Sequence, residues 1–82
     1  MMFYVYMLKC LDDKITKTYV GYTNNLKLRL KKHNSGTGAK STRGYKWKII
    51  YKKRFYDKRL AMSYEYKLKK NQKKRKYLLS LS

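Results

Sequence analysis

Two short tyrosine motifs lie on neighbouring apolar segments of the chain. They read Tyr4-Val5-Tyr6 and Tyr19-Val20-Gly21. Because side chains alternate between the two faces of a strand, Tyr4 and Tyr6 share a face, and in an antiparallel hairpin they can stand beside Tyr19. Phenols clustered on a positively charged surface are suited to contacts with the phosphate backbone of a nucleic acid. The tyrosines are therefore the first candidates for chemistry.

An arginine and the only histidine of the chain follow the second motif. On a helix predicted from about Asn25 to Asn34, Arg29 and His33 fall with Leu26 and Leu30 within one arc of about 100°. Taken singly, Arg29 can also be interpreted as a residue without a functional role, whose aliphatic part covers apolar surface while its charged end stays in water. His33 can likewise be interpreted as a structural residue near the end of the helix, with its hydrogen bonds satisfied. Their joint position beside the tyrosine hairpin favours a functional site.

Glu65 is the only glutamate of the protein, and it lies on a helix predicted from about Lys58 to Lys70. A glutamate among lysines also fits an exposed ion pair, for instance with Lys69 at i+4. However, Glu65 lies at the margin of an apolar stripe on this helix, close to the sheet. The stripe consists of Leu60, Ala61, Tyr64 and Leu68. No other residue is as well placed to be an acidic metal ligand.

The charge of the chain indicates its partner. It has 23 Lys and Arg against 4 Asp and Glu, a formal net charge of +19 over 82 residues. Such a chain attracts polyanions through counterion release, which favours nucleic acid over an anionic membrane or merely solvated charge. We predict phosphate contacts at Lys27 and at Lys40, Thr42 and Arg43, where cations and a hydroxyl lie close together. An ordinary glycine-rich connection is the alternative for the latter segment.

Composition predicts one small domain over residues 1–82 in a reducing compartment. With one cysteine, the chain has neither a disulfide framework nor a paired-cysteine metal clip, and Cys10 is predicted to be a small core residue. No run approaches the ~20 apolar residues of a membrane span, and the first ten residues lack the basic start of a signal peptide. We therefore expect a cytoplasmic protein without a membrane partner.

The apolar patterns predict an α+β fold with a three-stranded antiparallel sheet flanked by helices. The strand from Met2 to Cys10 is apolar on both faces, as is typical of a central strand. A turn at Asp12-Asp13-Lys14 leads to a second, more polar strand. The remaining predicted elements are a strand over Ile15–Tyr22, a strand over Trp47–Tyr56, and a C-terminal helix over Asn71–Ser82.

This order of elements, with these motifs, resembles the GIY-YIG nuclease family over about residues 3 to 70. Tyr4-Val5-Tyr6 stands where the family has Gly-Ile-Tyr, and Tyr19-Val20-Gly21 where it has Tyr-Ile-Gly. Arg29 matches the family's catalytic arginine, His33 a position held by histidine or tyrosine, and Glu65 the metal-binding glutamate. The segment from His33 to Arg43 is similar to the His-Asn-x-Gly-x-Gly-Ala-Lys-x-Thr-Arg stretch of the small stand-alone bacterial branch. Tyr22 departs from the lysine of excision-repair relatives.

The resemblance implies hydrolysis of phosphodiester bonds with one Mg²⁺ or Mn²⁺ ion on Glu65. Arg29 would hold the scissile phosphate, and His33 would position a group or relay a proton. Tyr19 or Tyr6 would be the general base, with Tyr19 slightly favoured, and nearby cations are expected to lower the phenol pKa.

The implied substrate is single-stranded or branched DNA, with RNA as a further candidate. The alternative function is a non-catalytic basic module that binds DNA or RNA, in which tyrosines stack on bases and lysines follow the backbone. Glu65 argues against that alternative, because an acid near phosphates repels them.

Overall fold

The computed structural model describes residues 1–12 and 14–82. Asn25, Asp57 and Asn71 each accept a hydrogen bond from a backbone N–H of the helix that follows, as expected for residues that cap a helix. A short 3-10 turn spans Lys40–Thr42. The strands and longer helices, in chain order, are β1 (Phe3–Cys10), β2 (Thr18–Thr23), α1 (Leu26–Ser35), β3 (Trp47–Phe55), α2 (Lys58–Lys70) and α3 (Gln72–Ser80).

The three strands form one antiparallel sheet in the order β2-β1-β3, so the prediction of a central first strand is confirmed. The physical reason is the one that the sequence indicated: Val5, Met7 and Leu8 of β1 are completely buried, and they belong to both faces of the strand. Cys10 is buried at the end of β1 with a free thiol, as predicted.

Helices cover the two faces of the sheet. On one face, Val5, Met7 and Val20 pack with Ala61 and Leu68 of α2, and α3 adds Leu78. The opposite face carries Tyr6, Leu8, Cys10 and Trp47, which pack with Leu26 and Leu30 of α1. This second face holds the tyrosine motifs, so α1 and the loop that follows it decide what the phenols contact.

Several local expectations differ from the structure. The second strand begins at Thr18 and not at Ile15. Leu60, which belongs to the predicted apolar stripe, is exposed because it lies in the first turn of α2, and Leu81 is exposed because it follows the last turn of α3. The turn predicted at Asp12-Asp13-Lys14 includes Asp13, which lies outside the described residues. No helix within the described ranges is long and apolar enough to span a membrane.

Candidate active site

The sheet brings Tyr6 and Tyr19 together on the face that α1 covers. Tyr19 pairs with Leu8 across the β1–β2 ladder, two residues from Tyr6, and the two phenol rings have centroids 6.3 Å apart. Gly21 pairs directly with Tyr6. A Cβ atom on Gly21 would lie 2.6 Å from the Tyr6 hydroxyl oxygen and 3.0 Å from Cε2 of Tyr19. The glycine of the second motif is therefore required by the close approach of both phenols.

His33 lies against these phenols from α1. Its Nε2 is 2.9 Å from the Tyr6 hydroxyl, and its ring centroid is 4.9 Å from that of Tyr19. On the other side of the ring, Nδ1 is 2.9 Å from Oγ1 of Thr42. The Thr42 hydroxyl donates to the Ala39 carbonyl at 2.8 Å, so its oxygen is left to accept from His33.

These contacts fix the direction of a hydrogen-bond chain. A hydroxyl has one proton, and Thr42 uses it toward Ala39. Nδ1 of His33 must therefore carry the proton that Thr42 accepts, and Nε2 of the neutral ring is left to accept from the Tyr6 hydroxyl. The chain runs from Tyr6 through His33 and Thr42 to a backbone carbonyl.

Electrostatics keeps His33 neutral at pH 7. The residue is 1 % exposed. Burial lowers the pKa of His33 below its ordinary 6.5, and the positive charge of Arg29 lowers it further. A neutral ring with the proton on Nδ1 is the form that the hydrogen-bond chain requires, so geometry and charge agree.

Thr42 was predicted to contact nucleic acid, but its side chain does not reach the surface. Its side chain is completely buried, because the turn at Lys40–Thr42 folds it under the histidine, and Trp47 Nε1 donates to its carbonyl at 3.0 Å. Thr42 is a positioning residue for His33. The flanking Lys40 and Arg43 are exposed, as a phosphate contact requires.

Gly38 is a site residue that the sequence analysis missed. A Cβ atom there would lie 2.6 Å from Nδ1 of His33 and 3.0 Å from its Cα. The loop after α1, which reads as flexible in sequence, thus passes directly against the imidazole. The two glycines of the Gly-Thr-Gly segment were the available signal. Only the folded chain shows that Gly38, and not Gly36, lies too close to His33 to carry a side chain.

Arg29 is half-buried beside the phenols, and its Nε atom is buried with no hydrogen-bond partner in the described part of the chain. The side chain lines an open polar pocket of about 220 Å³ together with Asn25 and Lys32. A guanidinium N–H that is buried without a partner is costly. Because Arg29 lines the pocket, an anion there could accept hydrogen bonds from its guanidinium group, so the arrangement suits a phosphoryl group.

The pKa of Tyr6 contradicts the expectation of a lowered phenol pKa. Burial raises it, and the neighbouring Tyr19 raises it further. The positive charge of Arg29 and its N–H donors act in the opposite direction and lower the pKa of Tyr6, while the carboxylate of Glu65 raises it. Loss of solvation therefore outweighs the cation beside the ring, and the Tyr6 phenol is protonated at pH 7.

Glu65 lies on the side of α2 that turns toward the sheet, between the buried Ala61 and Leu68, and α2 covers the face of the sheet opposite Tyr6 and α1. Its side chain is 17 % exposed, and its Oε1 is 3.6 Å from Nζ of Lys69. The ion pair that was the alternative interpretation is thus present, while the charge of Glu65 also acts on Tyr6. Within residues 1–12 and 14–82, no three His, Cys, Asp or Glu residues cluster as metal ligands. A single carboxylate still fits Mg²⁺ or Mn²⁺, since such ions complete their shell with water and phosphate oxygens.

Two further cations lie beside the phenols on strand β3, and they were not among the residues predicted from the sequence. Lys52 pairs with Tyr6 and Arg54 pairs with Tyr4, so both side chains lie on the tyrosine face, and both are exposed. The run Lys52-Lys53-Arg54 near the end of β3 was the available signal. The predicted Lys27 is exposed on α1.

Comparison with known proteins places these observations in a family. The model of the GIY-YIG catalytic domain matches residues 2–78. A UPF0213 protein of Clostridium perfringens is 52 % identical over 68 residues, which cover 82 % of this chain and 70 % of the relative. A UPF0213 protein of Oceanobacillus iheyensis is 48 % identical over 67 residues, or 80 % of this chain and 74 % of the relative. The solution NMR structure of a UPF0213 protein from Bacillus halodurans has a TM-score of 0.54 at 40 % identity, and the similarity covers 100 % of this chain and 86 % of that one.

Proposed function

Because the chain belongs to the GIY-YIG family of catalytic domains, we propose that it is a metal-dependent endonuclease that hydrolyses phosphodiester bonds of DNA. One observation carries this proposal: the Tyr6 hydroxyl donates to a neutral, buried histidine next to an arginine that has an unpartnered, buried N–H. Tyr6 and His33 would provide a proton-transfer path, and Arg29 would provide a phosphate-binding group. Hydrolysis of a phosphodiester bond requires both.

The proton path favours Tyr6 over Tyr19 as the group that meets the attacking water. As water attacks phosphorus, its proton passes to the Tyr6 oxygen while the Tyr6 proton passes to Nε2 of His33. Tyr6 then needs no low pKa, since the phenol gains one proton as it loses another. His33 becomes an imidazolium whose Nδ1 keeps its proton and donates it in a hydrogen bond to Oγ1 of Thr42. Tyr19, in contact with both rings, would orient the water.

Arg29 would hold the scissile phosphate. Its guanidinium offers N–H donors in a planar fork that matches two phosphoryl oxygens, and it keeps its charge throughout the reaction. Negative charge on these oxygens increases as the attack proceeds. Because the donors are already fixed beside Tyr6, they stabilise the transition state without reorganisation.

Glu65 would hold one divalent cation, Mg²⁺ or Mn²⁺, by its single carboxylate. A bound cation would supply Lewis-acid charge to the phosphoryl group and its leaving oxygen. The pair with Lys69 must open for this, and at 3.6 Å with half of the lysine exposed it is a weak contact. The remaining residues act around that charge by binding phosphate and moving a proton.

Single-stranded or branched DNA is the substrate that we propose first, with RNA as a further candidate. The cations on the tyrosine face, Lys52 and Arg54, together with Lys40 and Arg43, are exposed and suit an extended backbone. Cytoplasmic location remains a prediction from the single buried cysteine.

The test is a cleavage assay with labelled single-stranded, duplex and branched DNA and with RNA, each with Mg²⁺ or Mn²⁺ and with EDTA. We expect metal-dependent cleavage of DNA that Glu65→Gln abolishes while folding and binding persist. Asp12→Asn is the matched control, because it removes the same charge from an exposed loop and the asparagine oxygen can keep the bond to the Lys14 N–H.

Cleavage by Glu65→Gln at the wild-type rate would show that Glu65 is only a surface charge. If the wild-type protein cleaves none of the four substrates with either metal but binds them, the chain is a binding module and the proposed activity is wrong.

A further inference from the structure

A further pocket, of about 210 Å³, lies on the face of the sheet opposite the tyrosines and combines an apolar floor with polar and charged side chains. It opens between α3 and the beginning of β2. Its polar lining residues are Thr16, Thr18, Gln72, Arg75 and Lys76. The aliphatic floor includes Met7 of the central strand. None of these residues takes part in the candidate active site.

Arg75 gives this pocket its chemistry. Its Nε atom is buried and has no hydrogen-bond partner among the residues that the structure describes. An N–H of a guanidinium that is removed from water without an acceptor costs free energy. Arg75 also lines the pocket, so an anion there could accept hydrogen bonds from the guanidinium group. Guanidinium groups bind phosphate through two parallel N–H donors, and the hydroxyls of Thr16 and Thr18 add neutral donors.

The charge around the pocket selects an anion. The lining contains Arg75 and Lys76 and, among the described residues, no carboxylate. Lys9 stands directly opposite Thr18 in the β1–β2 ladder, and Lys48 stands opposite Lys9 in the β1–β3 ladder, so both lie on the same face as the pocket. A phosphoryl group is therefore favoured over a neutral ligand.

The position of the pocket connects it with the candidate active site. Strand β2 is an edge of the sheet, and its neighbouring residues Thr18 and Tyr19 point to opposite faces. A strand of nucleic acid that leaves the Tyr6–Tyr19 face can pass over this edge and reach Arg75. We propose that the Arg75 pocket binds a backbone phosphate of the nucleic-acid substrate beyond the scissile bond. This inference rests on the proposed function for the identity of its ligand.

The experiment follows the Nε–H resonance of Arg75 in ¹H–¹⁵N NMR spectra of the full chain, with Arg75→Lys to assign it. The titrants are a short single-stranded oligodeoxynucleotide, a deoxynucleoside monophosphate and inorganic phosphate, all in EDTA to prevent cleavage. We expect the oligonucleotide to shift the Arg75 Nε–H signal and the backbone amides of Thr16 and Thr18.

Binding measured at several salt concentrations provides an independent readout. Arg75→Gln should reduce the log–log salt slope on single strands by about 0.7, the value of one phosphate contact. Lys73→Gln is the matched control, since it removes one positive charge from the same helix but does not line the pocket. Its slope should equal that of the wild-type protein.

The inference is overturned if a saturating oligonucleotide leaves the Arg75 Nε–H signal in place, or if the two variants change the slope equally. A response to the monophosphate or inorganic phosphate without a response to the oligonucleotide also overturns it, because the pocket would then take small phosphates and not a strand. If the protein cleaves nothing but the oligonucleotide still moves Arg75, the proposed nuclease activity fails while the pocket assignment stands.

Discussion

Replacing Thr42 by valine tests the hydrogen-bond chain at its buried end. Valine has nearly the same shape, so the substitution removes a hydroxyl without opening a cavity. The Ala39 carbonyl keeps its bond from the backbone N–H of residue 42 at 3.0 Å, so the change leaves only Nδ1–H of His33 without a partner. A buried donor that loses its acceptor costs about 1–3 kcal/mol.

The expected loss is thus about 2 kcal/mol in the free energy of unfolding. At about 4–8 °C per kcal/mol for a domain of this size, the melting temperature should fall by about 8–16 °C. The imidazole has one way to avoid the unpaired donor, which is to move its proton to Nε2. That nitrogen would then donate to Tyr6 and could not accept from it. We expect the cleavage rate to fall by at least about 100-fold, the usual lower limit for a lost proton-transfer group.

Three measurements separate these effects: thermal unfolding followed by circular dichroism, the His33 tautomer from long-range ¹H–¹⁵N NMR, and the cleavage rate. Thr42→Ser is the control, because it keeps the hydroxyl and loses one methyl group, at a cost of about 1 kcal/mol. It should keep the Nδ1–H tautomer and most of the activity. If Thr42→Val keeps the wild-type tautomer and rate, or if Thr42→Ser loses as much activity as valine, the directed chain is wrong.

Three further predictions concern the same surroundings. Stability near neutral pH, measured by urea midpoints, should not change with pH as long as the pH stays above about 6.5, the unfolded pKa of histidine. It should fall as the pH drops toward the lowered folded pKa of His33, because in that range only the unfolded chain binds the proton. His33→Gln should remove this slope, and an unchanged slope would assign it to another group. Gly38→Ala should lower the melting temperature and displace the His33 ring signals, since its Cβ would lie 2.6 Å from Nδ1; unchanged signals would contradict the close approach. Lys40→Ala and Arg43→Ala should each reduce the salt slope of oligonucleotide binding, measured by fluorescence anisotropy, by about 0.7 without changing the melting temperature; a slope that does not change would exclude that residue from the phosphate contacts.

The order of strands was predictable from the sequence because the relevant physics is local. A segment that is apolar on both faces must be covered on both, so β1 had to be the middle strand. Alternation along that strand also predicted which face carries Tyr6, and the spacing of Arg29 and His33 predicted that α1 presents both toward it. Side chains that alternate or repeat with the period of a strand or a helix leave a pattern that can be read without coordinates.

Contacts between segments that are distant in sequence left no such pattern. Thr42 lies nine residues after His33, in a segment whose composition suggested phosphate binding, and only the path of the loop places its hydroxyl on Nδ1. That path also determines the tautomer of His33 and, through it, the direction of the bond from Tyr6. The raised pKa of Tyr6 has the same origin, because desolvation depends on everything that surrounds the ring. Residue types and spacing therefore determined which groups could do chemistry, whereas the tertiary structure decided which of them hold protons and in which direction those protons can move.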